Sequence, residues 1–209
     1  MTARPASGRR IEAVVFDVGN VLFQWHPRHL YQRLIPDAAR VDWFLRNVVT
    51  TDWHFQLDAG RGFAECAEEL CALYPDERPL IEAWAPRFNE TLEHEVPGMS
   101  ALVEALDARG VPLYAITNFS AELWPPFRQT QPLFDRFRDI LVSGAEKLIK
   151  PDAAIYHLAA RRFGIDPATA LFIDDRDDNV AGAIAVGFHG HHFIDADRLR
   201  AELVKLNLL

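Results

Sequence analysis

Four consecutive apolar residues, Ala13-Val14-Val15-Phe16, run without alternation into Asp17-Val18-Gly19-Asn20. A strand that is apolar on both faces has to be covered on both. That condition is met by a parallel sheet with helices on either side, not by a half-solvated antiparallel one. The run therefore points to an α/β fold and puts Asp17 at the carboxyl end of a strand, where ligands gather in sheets of this kind. On this segment alone, a structural carboxylate that caps the following turn and a functional one stand level.

The rest of the chain supplies the layers such a strand needs. Met99, Leu102, Val103 and Leu106 form an i, i+3, i+4, i+7 stripe closed by Gly110 as a C-terminal cap. Further strands are expected over Val111 to Ile116, Ile140 to Val142, Ala170 to Ile173, and near Gly187 to Phe193. A helix after Pro151 takes Asp152 as N-cap and buries Ile155, Leu158, Ala159 and Phe163. Another runs from about Asn179 to Ala185, and a terminal helix carries Leu199, Leu203 and Leu206. Strand and helix in alternation imply right-handed crossovers and a Rossmann-like parallel sheet sandwiched by helices.

Residues 23–96 break this alternation. Pro27, Pro36 and Ala59-Gly60-Arg61-Gly62 punctuate them, Phe63 to Leu73 and Pro79 to Leu92 carry helix-compatible apolar spacings, and no buried strand is evident. The segment reads as an inserted α-helical cap, with residues 1–22 and 97–209 as the α/β core. Trp43, Trp53 and Trp84 are expected to pack inside the cap.

Composition narrows the partners. A chain of 209 residues that is 49% hydrophobic supports a sizeable core, and its net charge of −8 argues against nucleic acid or an anionic membrane as partner. No window approaches the ~18 apolar residues of a membrane span. The first ten residues, with three arginines and no apolar core, read as a loose tail and not as a signal peptide. Cys66 and Cys71, five apart in an expected helix, point different ways and pair with neither each other nor a metal. The expectation is a cytoplasmic protein with a small-molecule partner, and nothing separates a monomer from a homodimer.

With the strands placed, Asp17, Thr117, Lys150 and Asp174-Asp175 all fall at strand carboxyl ends or in the loops just beyond. One cleft can hold them all. Three carboxylates beside one lysine repel one another unless a cation compensates, and oxygen-only ligands suit Mg²⁺ shared with a substrate phosphate.

These residues, in this order, resemble the four motifs of the haloacid dehalogenase superfamily, in the branch with a helical cap inserted after the first motif. The resemblance covers nearly the whole chain. It implies Asp17 as nucleophile, Thr117 with Asn118 beside it as second motif, Lys150-Pro151 as third, and Asp174, Asp175 and Asn179 as fourth. Lys147 lacks the following Pro and is the weaker match for the third. The activity implied is that of an Mg²⁺-dependent phosphatase working through an aspartyl-phosphate, most similar to bacterial sugar-1-phosphate phosphatases with an Asp-x-Gly-Asn-Val first motif. Asp17, the Gly19 carbonyl and Asp175 would hold the metal, with Asp174 and Asn179 behind them. Thr117, Asn118 and Lys150 would bind the phosphoryl group of a sugar-phosphate-like substrate.

One departure matters. Phosphatases of this superfamily usually carry a second Asp two residues after the nucleophile, which protonates the leaving group, and here that position is Gly19. Losing a general acid slows a reaction by about 10²- to 10⁴-fold. Ordinary alkyl phosphates should then be poor substrates unless the leaving group is acidic, the cap supplies an acid, for which His26 is nearest in sequence, or the chemistry differs. The resemblance leaves two alternatives: a metal-independent 2-haloacid dehalogenase, which the pair Asp174-Asp175 speaks against, and a non-catalytic phospho-ligand-binding protein. Trp25, His26 and Arg28, at the hinge into the cap, are candidates for substrate specificity, with Arg61 less defined. His189 and His191, on one face of an expected strand, are read as incidental.

Overall fold

The computed structural model describes residues 9–92 and 94–209; residues 1–8 of the expected loose tail lie outside them. Among the described residues the strands are β1 (Ala13–Phe16), β2 (Phe23–Gln24), β3 (His94–Glu95), β4 (Leu113–Thr117), β5 (Asp139–Val142), β6 (Ala170–Asp174) and β7 (His189–His192). Five of them form one parallel sheet in the order β5-β4-β1-β6-β7. The chain moves outward from β1 through β4 to β5, then crosses to β6 on the other side. The order reverses beside β1, and this is the switch point where such sheets open a ligand crevice.

The unbroken apolar run of β1 is explained by its two covers. Val14 and Phe16 join one buried cluster, with Leu102, Val103, Leu199 and Leu203 of helices Met99–Ala108 and Ala196–Lys205. Ala13 and Val15 join the other, with Ile155, Tyr156, Ala159 and Ala183 of helices Ala153–Phe163 and Asp177–Ala185. The fold is thus the expected helix-covered parallel sheet, with strand ends shifted by one or two residues. Asp152 sits at the expected N-cap position, although its side chain makes no capping bond.

Between Pro27 and Thr91 the chain is helical: Pro27–Tyr31, Ala38–Asn47, Thr51–Asp58, Phe63–Leu73 and Arg78–Glu82, then a 3₁₀ turn over Phe88–Thr91. The helix expected across Pro79 to Leu92 is broken after Glu82, since Pro86 has no N–H for its ladder and clashes with the preceding turn. Entry and exit also differ from expectation, for β2 and β3 pair antiparallel as a short ribbon and Val96 N donates to Leu22 O at 2.9 Å. Trp53 and Trp84 are buried, and their cluster runs without a break into that of the sheet. Trp43 is not buried: it is 40% exposed and lies beneath the Arg40 guanidinium, 4.5 Å from its ring centre.

Cys66 and Cys71 are buried free thiols. His189 and His191 lie on edge strand β7; the His189 Nε2 sits 3.1 Å from Ala168 O, and no carboxylate or thiol joins either histidine in a metal-ligating group among the described residues. No helix among those residues is long and apolar enough to cross a membrane.

Candidate active site

The register of β1 brings the nucleophile candidate to its neighbours. Phe16 pairs with Ala115 of β4 and Ile173 of β6, so Asp17 emerges beside Asp174, and Thr117, two residues beyond Ala115, ends β4 at the same cleft. Asp17 N still donates to Ile173 O at 2.8 Å, which anchors the residue to the sheet. Its carboxylate has left the ladder: Oδ1 accepts from Val18 N at 2.7 Å and lies 2.8 Å from Lys150 Nζ. The same ammonium donates to Asp174 Oδ2 at 2.7 Å, and all three side chains are nearly closed to solvent.

Lys150 is held there through its own main chain. Lys150 N donates to Asn118 Oδ1 at 2.9 Å, and Asn118 Nδ2 donates to Lys150 O at 3.0 Å. Asn118, expected at the phosphate, instead has both ends of its amide engaged on the loop that carries Lys150. Asp174 is similarly occupied. Its oxygens accept from Lys150 Nζ, from Arg176 N at 2.9 Å, and from Asn179 Nδ2 at 3.0 and 3.1 Å. Asn179 is in turn placed by Tyr156, whose hydroxyl donates to its carbonyl at 2.7 Å.

The electrostatics follow from burial. Asp17 is pushed up to about 7 by loss of hydration; Lys150 opposes this, while the charges of Asp174 and Asp175 add to it. Burial also raises Asp175, with Asp174 adding to the shift. Lys150 is held above the ordinary lysine value, because Asp17 and Asp174 outweigh the burial that disfavours its charge. Three carboxylates share one ammonium.

The oxygens of Asp17, Asp174 and Asp175 come within 4.8 Å of one another. An all-oxygen set with excess negative charge fits Mg²⁺. With Asp174 occupied by its three donors, Asp17, Asp175 and the Gly19 carbonyl are the groups that could hold it.

A cleft of about 320 Å³ opens above these residues, within the range of small-molecule sites. The core contributes Asp17, Gly19, Thr117, Asn118, Lys150, Asp175 and Asn179 to its lining. From the helical segment between β2 and β3 come Trp25, Thr51, His54, Phe55, Asp58 and Phe88. Of the three hinge candidates, Trp25 alone lines it. His26 caps helix Pro27–Tyr31, its Nδ1 accepting from Arg28 N at 3.0 Å, and Arg28 pairs with Asp42. Arg61 is engaged with Gln56, Glu65 and Glu69 on the surface of that helical segment. Neither the cap acid expected from His26 nor a substrate contact from Arg28 is placed at the cleft.

Two further cleft residues, His54 and Asp58, escape the reading from sequence. Both sit on helix Thr51–Asp58, buried, with His54 Nε2 and Asp58 Oδ2 3.3 Å apart. The only local signal is an i, i+4 His/Asp pair flanked by Trp53 and Leu57, on the face a helix would bury.

The profile of the haloacid dehalogenase-like hydrolases matches residues 11–187. The sesquiterpene phosphatase astK of Aspergillus oryzae is 28% identical over 196 residues, spanning 93% of this chain and 96% of that protein. The N-acetylmuramic acid 6-phosphate phosphatase of Pseudomonas aeruginosa is 26% identical over 170 residues, 79% of this chain and 74% of its own. Among solved structures, the HAD family enzyme bt-2542 of Bacteroides thetaiotaomicron, in complex with magnesium and inorganic phosphate, has a TM-score of 0.68 at 20% identity. It covers 90% of this chain and 98% of that one, and at that identity the likeness concerns the fold.

Proposed function

The chain belongs to the haloacid dehalogenase-like hydrolase family and is a hydrolase of phosphatase type; from that premise we propose that it is an Mg²⁺-dependent phosphomonoesterase using Asp17 as nucleophile. The observation that carries this reading is the single ammonium of Lys150 between Asp17 and Asp174, with Asp175 adjoining. Lys150, even with Arg176 on the cleft wall and itself paired with Asp178, cannot balance three carboxylates and an incoming phosphate. Bound Mg²⁺ supplies the missing charge and draws electron density from the phosphoryl oxygens. Without it the cluster would repel any anionic substrate, which argues against the metal-independent dehalogenase.

The protein's own groups then have distinct work. An Asp17 oxygen attacks phosphorus and the ester P–O bond breaks, leaving an aspartyl-phosphate that water hydrolyses in a second displacement. Lys150 favours the ionised form of Asp17 against the burial that opposes it, and offsets the developing charge. Thr117, buried at the end of β4, lines the cleft where a phosphoryl oxygen would sit. Asn118 and Asn179 position Lys150 and Asp174.

The substrate's body meets carbon. Trp25, Phe55, Phe88 and Leu92, with Phe119 and Ile149 from the core, make most of the wall beyond the phosphate end. A polyol needs hydrogen-bonding partners for its hydroxyls, and such a wall strands them. We propose a substrate whose alcohol is apolar or aromatic in preference to the sugar-phosphate-like one expected from sequence, a reading supported by the sesquiterpene phosphatase relative.

The test is a panel of aryl, isoprenyl and sugar phosphates assayed with Mg²⁺ and with EDTA, beside Asp17→Asn. We expect the highest kcat/KM for apolar alcohols, and loss of turnover both with EDTA and in the Asp17→Asn variant. Equal phosphate release by Asp17→Asn and wild type would sink the reading, as would no turnover of any member.

A further inference from the structure

Asp58 belongs to the cap, yet its main chain is fastened to the core. Ser143 Oγ, at the start of the short helix Ser143–Glu146 that follows β5, donates to Asp58 O at 2.6 Å and itself accepts from Phe119 N at 2.9 Å. Two residues on, the chain passes so close to the core that a Cβ built on Gly60 would lie 2.7 Å from Gly144 O. The end of helix Thr51–Asp58 is thus pinned beside the loop that follows β4 and the short helix that follows β5, and its last side chain lines the same cleft as Asp17, Thr117 and Lys150.

That side chain is incomplete. Asp58 is 2% exposed; Oδ2 faces His54 Nε2 at 3.3 Å, while Oδ1 has no hydrogen-bond partner among the described residues. A carboxyl oxygen stranded at this depth is destabilising unless its own proton or a ligand completes it. Asp58 is outside the carboxylate cluster that fits a cation. His54 is in a fixed orientation, stacked on Trp25 with ring centres 4.9 Å apart and on Phe88 at 6.0 Å, with Trp84 edge-on at 5.2 Å.

The groups facing Asp58 agree with a retained proton. Burial pushes its carboxyl up to about 8; the Asp17 charge adds to this, and Lys150 and the Ser120 amide oppose it. Burial drives His54 down to about 3, so its ring is neutral. Asp175 and Arg176 are the other charged groups that line the same cleft beside Asp17 and Lys150.

We propose that Asp58 is the general acid and base of the reaction, supplied by the cap in place of the side chain that Gly19 lacks, and that His54 positions it. The inference rests on the phosphatase reading above. As the Asp17 oxygen bonds to phosphorus and the ester bond breaks, the departing oxygen takes the electron pair and then the Asp58 proton, and leaves as the alcohol. The Asp58 carboxylate next removes a proton from water. That water's oxygen attacks the aspartyl-phosphate, releasing phosphate and restoring Asp17 and protonated Asp58. Simple alkyl phosphates thereby become competent substrates, contrary to the expectation from Gly19 alone.

The experiment compares wild type and Asp58→Asn on an alkyl phosphate and on an aryl phosphate whose phenol is acidic, both with Mg²⁺. The expected loss in kcat/KM is about 10²- to 10³-fold for the alkyl ester, and below about three-fold for the aryl ester, whose phenolate departs unprotonated. The aryl ester should also give a burst of phenol followed by slow turnover, because the second displacement has lost its base. His54→Phe, which keeps the stacking and removes the nitrogen, should show the same split at smaller size. Recovery of alkyl turnover by Gly19→Asp in the Asp58→Asn background supports the proposal and shows the variant is folded; a Cβ at position 19 meets only Trp25 Cβ, at 3.8 Å. Equal losses on both esters, no loss on either, or a wild type that cleaves aryl but not alkyl phosphates overturns the proposal and leaves the phosphatase reading standing. A wild type without Asp17-dependent turnover overturns both.

Discussion

The ammonium of Lys150 stands 2.8 Å from Asp17 Oδ1, with both side chains almost shut off from solvent. At that depth the pair acts as a unit, since removing one partner leaves the other's charge uncompensated. Lys150→Met should lower metal-free stability by about 3–5 kcal/mol and reduce kcat at least ~10²-fold. Chemical denaturation with and without Mg²⁺ checks the first part; added cation should recover a portion of the stability and none of the rate.

Cation binding should be visible without turnover. A ligand at ~100 times its Kd stabilises a fold by about 2.7 kcal/mol, which for a chain of this size is a rise of about 5–10 °C in Tm. We expect such a rise with Mg²⁺, its reversal by EDTA, and its loss in Asp175→Asn. A thermal scan of wild type and variant decides this, and an unchanged response in Asp175→Asn would remove that residue from the ligand set.

The core half of this site was legible because its positions follow from strand ends. Once Ala13–Phe16 and Ala170–Asp174 are recognised as buried on both faces, Asp17 and Asp174-Asp175 must emerge side by side, whatever the loops do. The cap half was not. Asp58 reaches the cleft through the packing of a helix more than 30 residues from the nearest core strand in sequence, and periodicity tells which face is buried but not against what. Nearness in sequence pointed to His26, which is occupied in capping its own helix. Trp43 misled for a related reason: its apolar surface is covered by Arg40, so an aromatic at core-like spacing remains at the surface.

Asp58 also makes a prediction about stability. Its carboxyl sits at about 8 in the fold against an ordinary 3.8, so between those values the folded protein retains a proton that the unfolded chain has released. Stability from this group is therefore full below pH ~4 and is lost as pH rises through ~8, by up to about 1.4 kcal/mol per pH unit. Asp58→Asn has no such slope. Denaturation of metal-free protein at pH 5 and pH 8 should show the variant gaining about 2 kcal/mol or more on wild type across that interval, even though its catalysis is impaired.

The contact between Gly60 and Gly144 should govern catalysis from a distance. Gly60 has φ of +95° and no room for a Cβ, so Gly60→Ala combines backbone strain with a clash against the core. We expect a loss of about 1–3 kcal/mol in stability and about ten-fold in kcat/KM on alkyl phosphates, because Asp58 is displaced from Asp17. Gly110→Ala is the comparison: φ is +72° but nothing lies within 4 Å of the added carbon, so it should show strain alone and unchanged kinetics.

The pairing of β2 with β3 has a mechanical consequence. The strand that enters the cap and the one that leaves it are bonded to each other, Phe23 opposite Glu95 and Gln24 opposite His94, so the two tethers act as one leaf and not as two independent strings. With Asp58 O bonded to Ser143 midway along the segment, residues 23–96 are held to the core at two separate places, by this ribbon and by that hydrogen bond. A substitution that breaks the ribbon therefore leaves the Ser143 attachment to carry the placement of Asp58 alone.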